Sequence, residues 1–135
     1  MYLNMRIAYF SDTFVPQING IVTSLLNSSR ILSKRHRIHI FTVKLNNQSR
    51  VSLGRNVKIL YIKGLNLLKY PDFPLAIPNF GSTRDVLKFK PDIIHVHTPT
   101  LLGWNGLVLA GFLKIPKVGT YHTLLPGFLK HAKFL

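Results

Sequence analysis

Imidazole can share or exchange a proton near neutral pH, and this chain sets three of its six histidines where strand-like runs end. His95 and His97 stand two apart in PDIIHVHTP, and His122 closes KVGTYHT. On a strand that spacing puts both rings of the pair on one face and Ile94 and Val96 on the other. A metal could bridge such a pair with His122 as third ligand, but a chain with no Glu and four Asp has little left to complete or orient the set. The reading adopted is therefore a structural His95, a His97 that reaches a cleft mouth beside Thr98 and Pro99, and no metal. His122 is the better catalytic candidate, flanked by Tyr121 and Thr123 ahead of a helix expected to begin near Leu124 or Pro126, where its ring could donate to a hydroxyl or to a developing charge. Asp12, at the end of the first apolar run, could hold an acceptor hydroxyl, act as a base, or simply cap its own loop.

Gly20 marks a loop turning into a helix. A residue without Cβ lets backbone amides come close to a diphosphate while the helix dipole favours its charge, although a tight turn uses glycine equally well. A dinucleotide cofactor does not fit. There is no G-x-G-x-x-G, and the second strand runs out in Thr42-Val43-Lys44 without the acid that would hold a ribose. No cofactor is expected.

The elements that must position these residues follow from periodicity. Ile7 to Phe10 reads as a buried parallel strand, and Ile21 to about Arg35 carries apolar residues at helical spacing. His36 to Val43 alternates, and Val57 to Ile62 gives a third strand closed by Gly64. Pro71, Pro74 and Pro78 deny the stretch Lys69 to Phe80 a continuous helix or a central strand. Ser82 is the expected N-cap of a short helix ending before Pro91, with Asp85 in the capping-box position. Asp92 to His97 and Val118 to His122 complete a set of five strands, and Leu101 to Leu113 reads as a buried helix between them. The order β-α-β-β-α-β-α-β indicates an α/β Rossmann-like three-layer sandwich with a mainly parallel sheet, whose ligands gather at the carboxyl ends of the strands.

A chain of 135 residues with 47% hydrophobic content supports one core, hence a single domain over 1–135. Without cysteine, disulfides and thiolate chemistry are excluded. The N-terminus lacks a secretory signal's apolar core and cleavage site, and the longest apolar stretch is too short to cross a bilayer, so a cytoplasmic protein is expected. Eighteen Lys and Arg against four acids give a net charge of +14, a field that attracts polyanions or anionic lipid. Arg30, Lys34, Arg35 and Arg37 form a basic cluster which, with the aromatic segment LNLLKYPDFPLAIPNF, could seat the protein on the inner face of a membrane. Nucleic acid is set aside because no recognised binding motif accompanies the charge.

Taken together, MRIAYFSDTFVPQINGIVTSL, YPDFPLAIP and PDIIHVHTPTLLGWNGLVLAGFLKIPKVGTYHTLLP resemble the N-terminal domain of GT-B-fold retaining glycosyltransferases of family 4, over nearly the whole chain. The resemblance implies that Gly20, with Asn19 beside it, faces the donor diphosphate, and that His122 lies against the transferred sugar. It implies that His97, Thr98 and the segment from Tyr70 to Pro78 border the acceptor cleft. It further implies transfer of a hexose from a nucleotide-diphosphate sugar to a hydroxyl, often of a membrane lipid, with retention. In this family the donor is held chiefly by a C-terminal Rossmann lobe through an E-x7-E segment, and a chain without Glu cannot supply one. The expectation is an acceptor-side lobe, the alternative a non-catalytic basic module that binds anionic membrane or nucleic acid.

Overall fold

The computed structural model describes residues 4–44, 51–67, 70–77, 79–120 and 122. Among them, β1 (Arg6–Ser11), α1 (Gly20–Leu32), β2 (Arg37–Lys44), β3 (Val57–Leu67), β4 (Tyr70–Ala76), α2 (Phe80–Phe89), β5 (Ile93–Val96), α3 (Leu101–Leu113) and β6 (Lys117–Gly119) follow in order. They build one sheet in the order β4-β3-β2-β1-β5-β6, parallel except for the antiparallel pair β3–β4. The reversal of strand order on either side of β1 makes the carboxyl edge beside β1 and β5 the crevice of a doubly wound fold.

Two-residue alternation divides the core into two layers. Ile7 and Tyr9 of β1 join Ile38 and Ile40 of β2 beneath Leu25 of α1. Ala8, Phe10, Phe41, Ile94 and Val96 face the other way, under Val86 and Phe89 of α2 and Leu102, Leu109 and Ala110 of α3. Phe10 and Phe41 stack across neighbouring strands with ring centroids 5.0 Å apart. The three-layer sandwich expected from the sequence is thus present.

Four local readings change. The proline-broken stretch contains an edge strand, β4, so the sheet has six strands rather than five; at an edge Pro71 and Pro74 need not donate to a neighbour on both sides. The N-cap of α2 is Asn79, not Ser82: Asn79 Oδ1 accepts from the Ser82 amide at 2.9 Å while Ser82 Oγ accepts from the Asn79 amide at 3.1 Å, the reciprocal capping box one turn earlier than expected. β6 ends at Gly119, so His122 lies past the strand instead of terminating it. Finally, α3 is buried on one face only. Leu101, Trp104, Val108 and Phe112, spaced to lie along a single stripe, are exposed among the described residues.

α3 sits close to the sheet because two glycines face it. A Cβ on Gly103 would fall 1.8 Å from the carbonyl oxygen of Thr98, and one on Gly106 2.9 Å from the Phe10 ring. A side chain at position 103 would hold the helix off the β5–α3 loop, which carries His97 to Thr100, and one at position 106 would hold it off β1.

Candidate functional site

The loops that leave β1 and β5 are fastened to each other by one carboxylate. Asp12 is 8% exposed, and its Oδ2 accepts hydrogen bonds from the hydroxyls of Thr98, at 3.0 Å, and Thr100. The Asp12 amide in turn donates to Thr98 Oγ1 at 2.9 Å, and Asp12 Oδ1 lies 3.5 Å from the amide of Ala76 at the end of β4. The two loops and the last residue of β4 therefore meet at Asp12. Thr100 is the N-cap of α3, yet makes no side-chain cap, its hydroxyl being turned to Asp12. The first amides of α3 are left without a side-chain acceptor, at the positive end of the helix dipole.

The loop before α1 is braced from within. Thr13 Oγ1 donates to Gln17 Oε1 at 2.6 Å and accepts from Asn19 Nδ2 at 3.0 Å. Asn19 Oδ1 accepts from the Val22 amide at 2.9 Å, so this residue is the N-cap of α1 and both ends of its amide are engaged. Gly20 opens the helix, and no atom lies within 4 Å of where its Cβ would be. Its missing side chain relieves no clash with the described residues.

A cleft of about 260 Å³ opens at this edge, lined by Ile21 next to Gly20, by His97, Thr98 and Gly103, and by Trp104, Leu107, Thr120 and His122. Ile21, the second residue of α1, and His122 thus line one crevice, while Gly20 itself is not among its lining residues. Asp12 stands behind the wall rather than in it, and Asn19 is turned into its own helix. For Tyr70 only the backbone, paired with Leu67, is described, so its expected place beside the acceptor falls outside the described side chains.

Behind the cleft runs a column of rings. His95 stacks on His97 with centroids 4.0 Å apart, His97 on His122 at 5.6 Å, and Tyr9 meets His97 at 4.5 Å. His95 Nε2 pairs with the Thr120 hydroxyl, and His97 Nδ1 lies 3.3 Å from His122 Nε2. His97 is 2% exposed and its Nε2 has no partner among the described residues. Burial, reinforced by the neighbouring histidines, pushes the His97 pKa down to about 3, and burial lowers those of His95 and His122 as well. The column is neutral at physiological pH. Among the described residues no group of three or more His, Asp or Glu comes together in a way that could hold a metal ion.

Residues 18–135 match the model of Glycosyltransferase Family 4. The chain belongs to that family. It is 34% identical over 94% of its length to alpha-monoglucosyldiacylglycerol synthase of Streptococcus pneumoniae, covering 29% of that protein. It is 32% identical over 97% of its length to the synthase of the same name from Acholeplasma laidlawii, covering 33%. A GDP-mannose-dependent alpha-mannosyltransferase of Mycobacterium tuberculosis is 30% identical over 92% of this chain, which spans 34% of it. The family 4 chain described here therefore spans about a third of the length of these curated relatives.

Ile21, Trp104, Leu107 and Thr120 were not singled out by sequence reasoning. Trp104 carried a usable signal: it falls one turn into α3, between the two glycines that bring that helix onto the β5 loop and onto β1.

Proposed function

We propose that this lobe is the acceptor side of a retaining hexosyltransferase, which moves a sugar from a nucleotide-diphosphate donor to a hydroxyl of a membrane lipid once a donor-binding lobe faces the cleft. The observation that carries the reading is the shared crevice at the carboxyl edge, with the glycine-opened N-terminus of α1 on one side and His122 on the other. The amides at the start of α1 and the positive end of its dipole suit a leaving diphosphate. The His122 ring stands where it could donate to the sugar as charge develops. Trp104, Leu107 and Ile21 give the rest of the wall an apolar character that suits a lipid alcohol better than a polysaccharide. Asp12 keeps the loops in register and takes no part in proton transfer, since its carboxylate is committed to Thr98, Thr100 and Ala76. The names of two relatives, alpha-monoglucosyldiacylglycerol synthases, favour the lipid class over others.

The test is hexosyl transfer by the intact protein, with nucleotide sugars offered against lipid acceptors in vesicles and the anomeric configuration of the product read by NMR. An α-product from an α-donor is expected. An inverted product would remove the retaining mechanism, and vesicle binding without transfer for any donor would favour the non-catalytic basic module.

A further inference from the structure

The pair His97–His122 can hold a single proton between Nδ1 of the first and Nε2 of the second, 3.3 Å apart, and both rings are neutral at physiological pH. Two arrangements are open. If His122 donates, His97 must carry its own hydrogen on Nε2, a buried donor with no partner among the described residues. If His97 donates from Nδ1, its Nε2 is instead a bare lone pair. A buried orphan N–H is rarer in folded proteins than an under-satisfied acceptor, so the second arrangement is favoured. Its consequence falls on His122: with Nε2 occupied as acceptor, the hydrogen of that ring sits on Nδ1.

We propose that His97 is a positioning residue that fixes His122 as its Nδ1–H tautomer, so that His122 meets a ligand in the cleft as a hydrogen-bond donor and not as a base. His97 is suited to this because its own ring is pinned. Its amide donates to the Phe10 carbonyl at 2.9 Å, and its faces are covered by Tyr9 and His95. Phe in its place would keep much of the packing and lose the donor. The proposal rests on the reading of His122 as a cleft residue, but the tautomer can be measured without any turnover.

The experiment is a long-range ¹H–¹⁵N correlation spectrum of the intact protein labelled with ¹⁵N-histidine at pH 7.5, the His122 signals being assigned by their loss in His122→Ala. The expected pattern has His122 Nδ1 at a protonated, pyrrole-like shift and Nε2 at an unprotonated one, and His97→Phe returns His122 to the Nε2–H form that a free imidazole prefers. An Nε2–H His122 in the wild-type protein overturns the proposal whether or not the variant folds. An Nδ1–H His122 that persists in a folded His97→Phe protein also overturns it, by showing that His97 does not set the tautomer. A His122→Ala enzyme with undiminished transfer would instead remove the catalytic reading and leave the tautomer assignment standing.

Discussion

At the scale of single residues, burial decides what one acid, Asp12, and one base, His97, do at the carboxyl edge. Asp12 is enclosed and fully used, and removing it leaves the hydroxyls of Thr98 and Thr100 without their shared acceptor. Asp12→Ala should therefore destabilise the fold by roughly 2 kcal/mol, the cost of leaving buried partners of a charged group unpaired, as read by urea unfolding; an unchanged midpoint would contradict the bracing role. His97 makes a second prediction. Its pKa is about 3 in the folded state against 6.5 for an unperturbed imidazole, chiefly because burial penalises the cation. Between those values the unfolded chain takes up a proton that the folded chain refuses, so stability is complete above about pH 6.5 and falls progressively towards pH 3. Unfolding followed between pH 8 and 4 should show that decline, and His97→Phe should flatten it. Sequence pattern alone located these residues, because strand ends and alternation are local properties. It could not tell that Asp12 reaches Thr98, 86 positions away, and hence that a plausible base is occupied.

Elements were legible where one local rule decided them. The apolar run Leu101 to Leu113 is the helix α3 with the bounds expected, since Pro99 and Pro116 stand just outside it at either end. What the run could not disclose was its orientation: apolar residues all round the helix give no face, and it is the close approach of Gly103 and Gly106 to the sheet that selects one. The edge strand β4 was hidden because its two prolines argue against a central strand and say nothing of an edge. Gly103 supplies the prediction at this scale. With a Cβ placed 1.8 Å from the Thr98 carbonyl oxygen, Gly103→Ala must push α3 away from the β5 loop. A loss of about 1–3 kcal/mol, as for other overpacked sites, should accompany widened chemical-shift changes at Thr98 and Thr100. A variant as stable as the parent, with those shifts unmoved, would show that the helix is not held by this approach.

For the molecule as a whole, the topology separates two features that the sequence placed together. Arg30, Lys34, Arg35 and Arg37 are exposed, but they lie at the end of α1 and the start of β2, the edge of the sheet opposite the cleft. β4 pairs with the far end of β3, on the cleft side. That side has its own cations, Lys44 at the end of β2 and Lys63 opposite it in register within β3, with exposed Leu65, Ile77 and Phe80 nearby in sequence. On the proposed reading the membrane faces this second set, which shares the cleft's edge of the sheet. Replacing Lys44 and Lys63 with Ala should weaken binding to phosphatidylglycerol vesicles roughly tenfold or more, at about 1 kcal/mol per charge, and by more than the Arg30→Ala, Lys34→Ala double variant does. The reverse ranking in a flotation assay would place the membrane at the other edge. No described helix is long and apolar enough to cross a bilayer.

The most direct measurement of the central claim is the rate of hexose transfer to diacylglycerol-containing vesicles by the intact protein before and after His122→Ala. If the ring steadies the sugar across the crevice from the start of α1, turnover should fall by roughly a hundredfold, the scale of one lost transition-state donor, while the folded fraction is unchanged. Equal turnover in the two proteins would contradict the account.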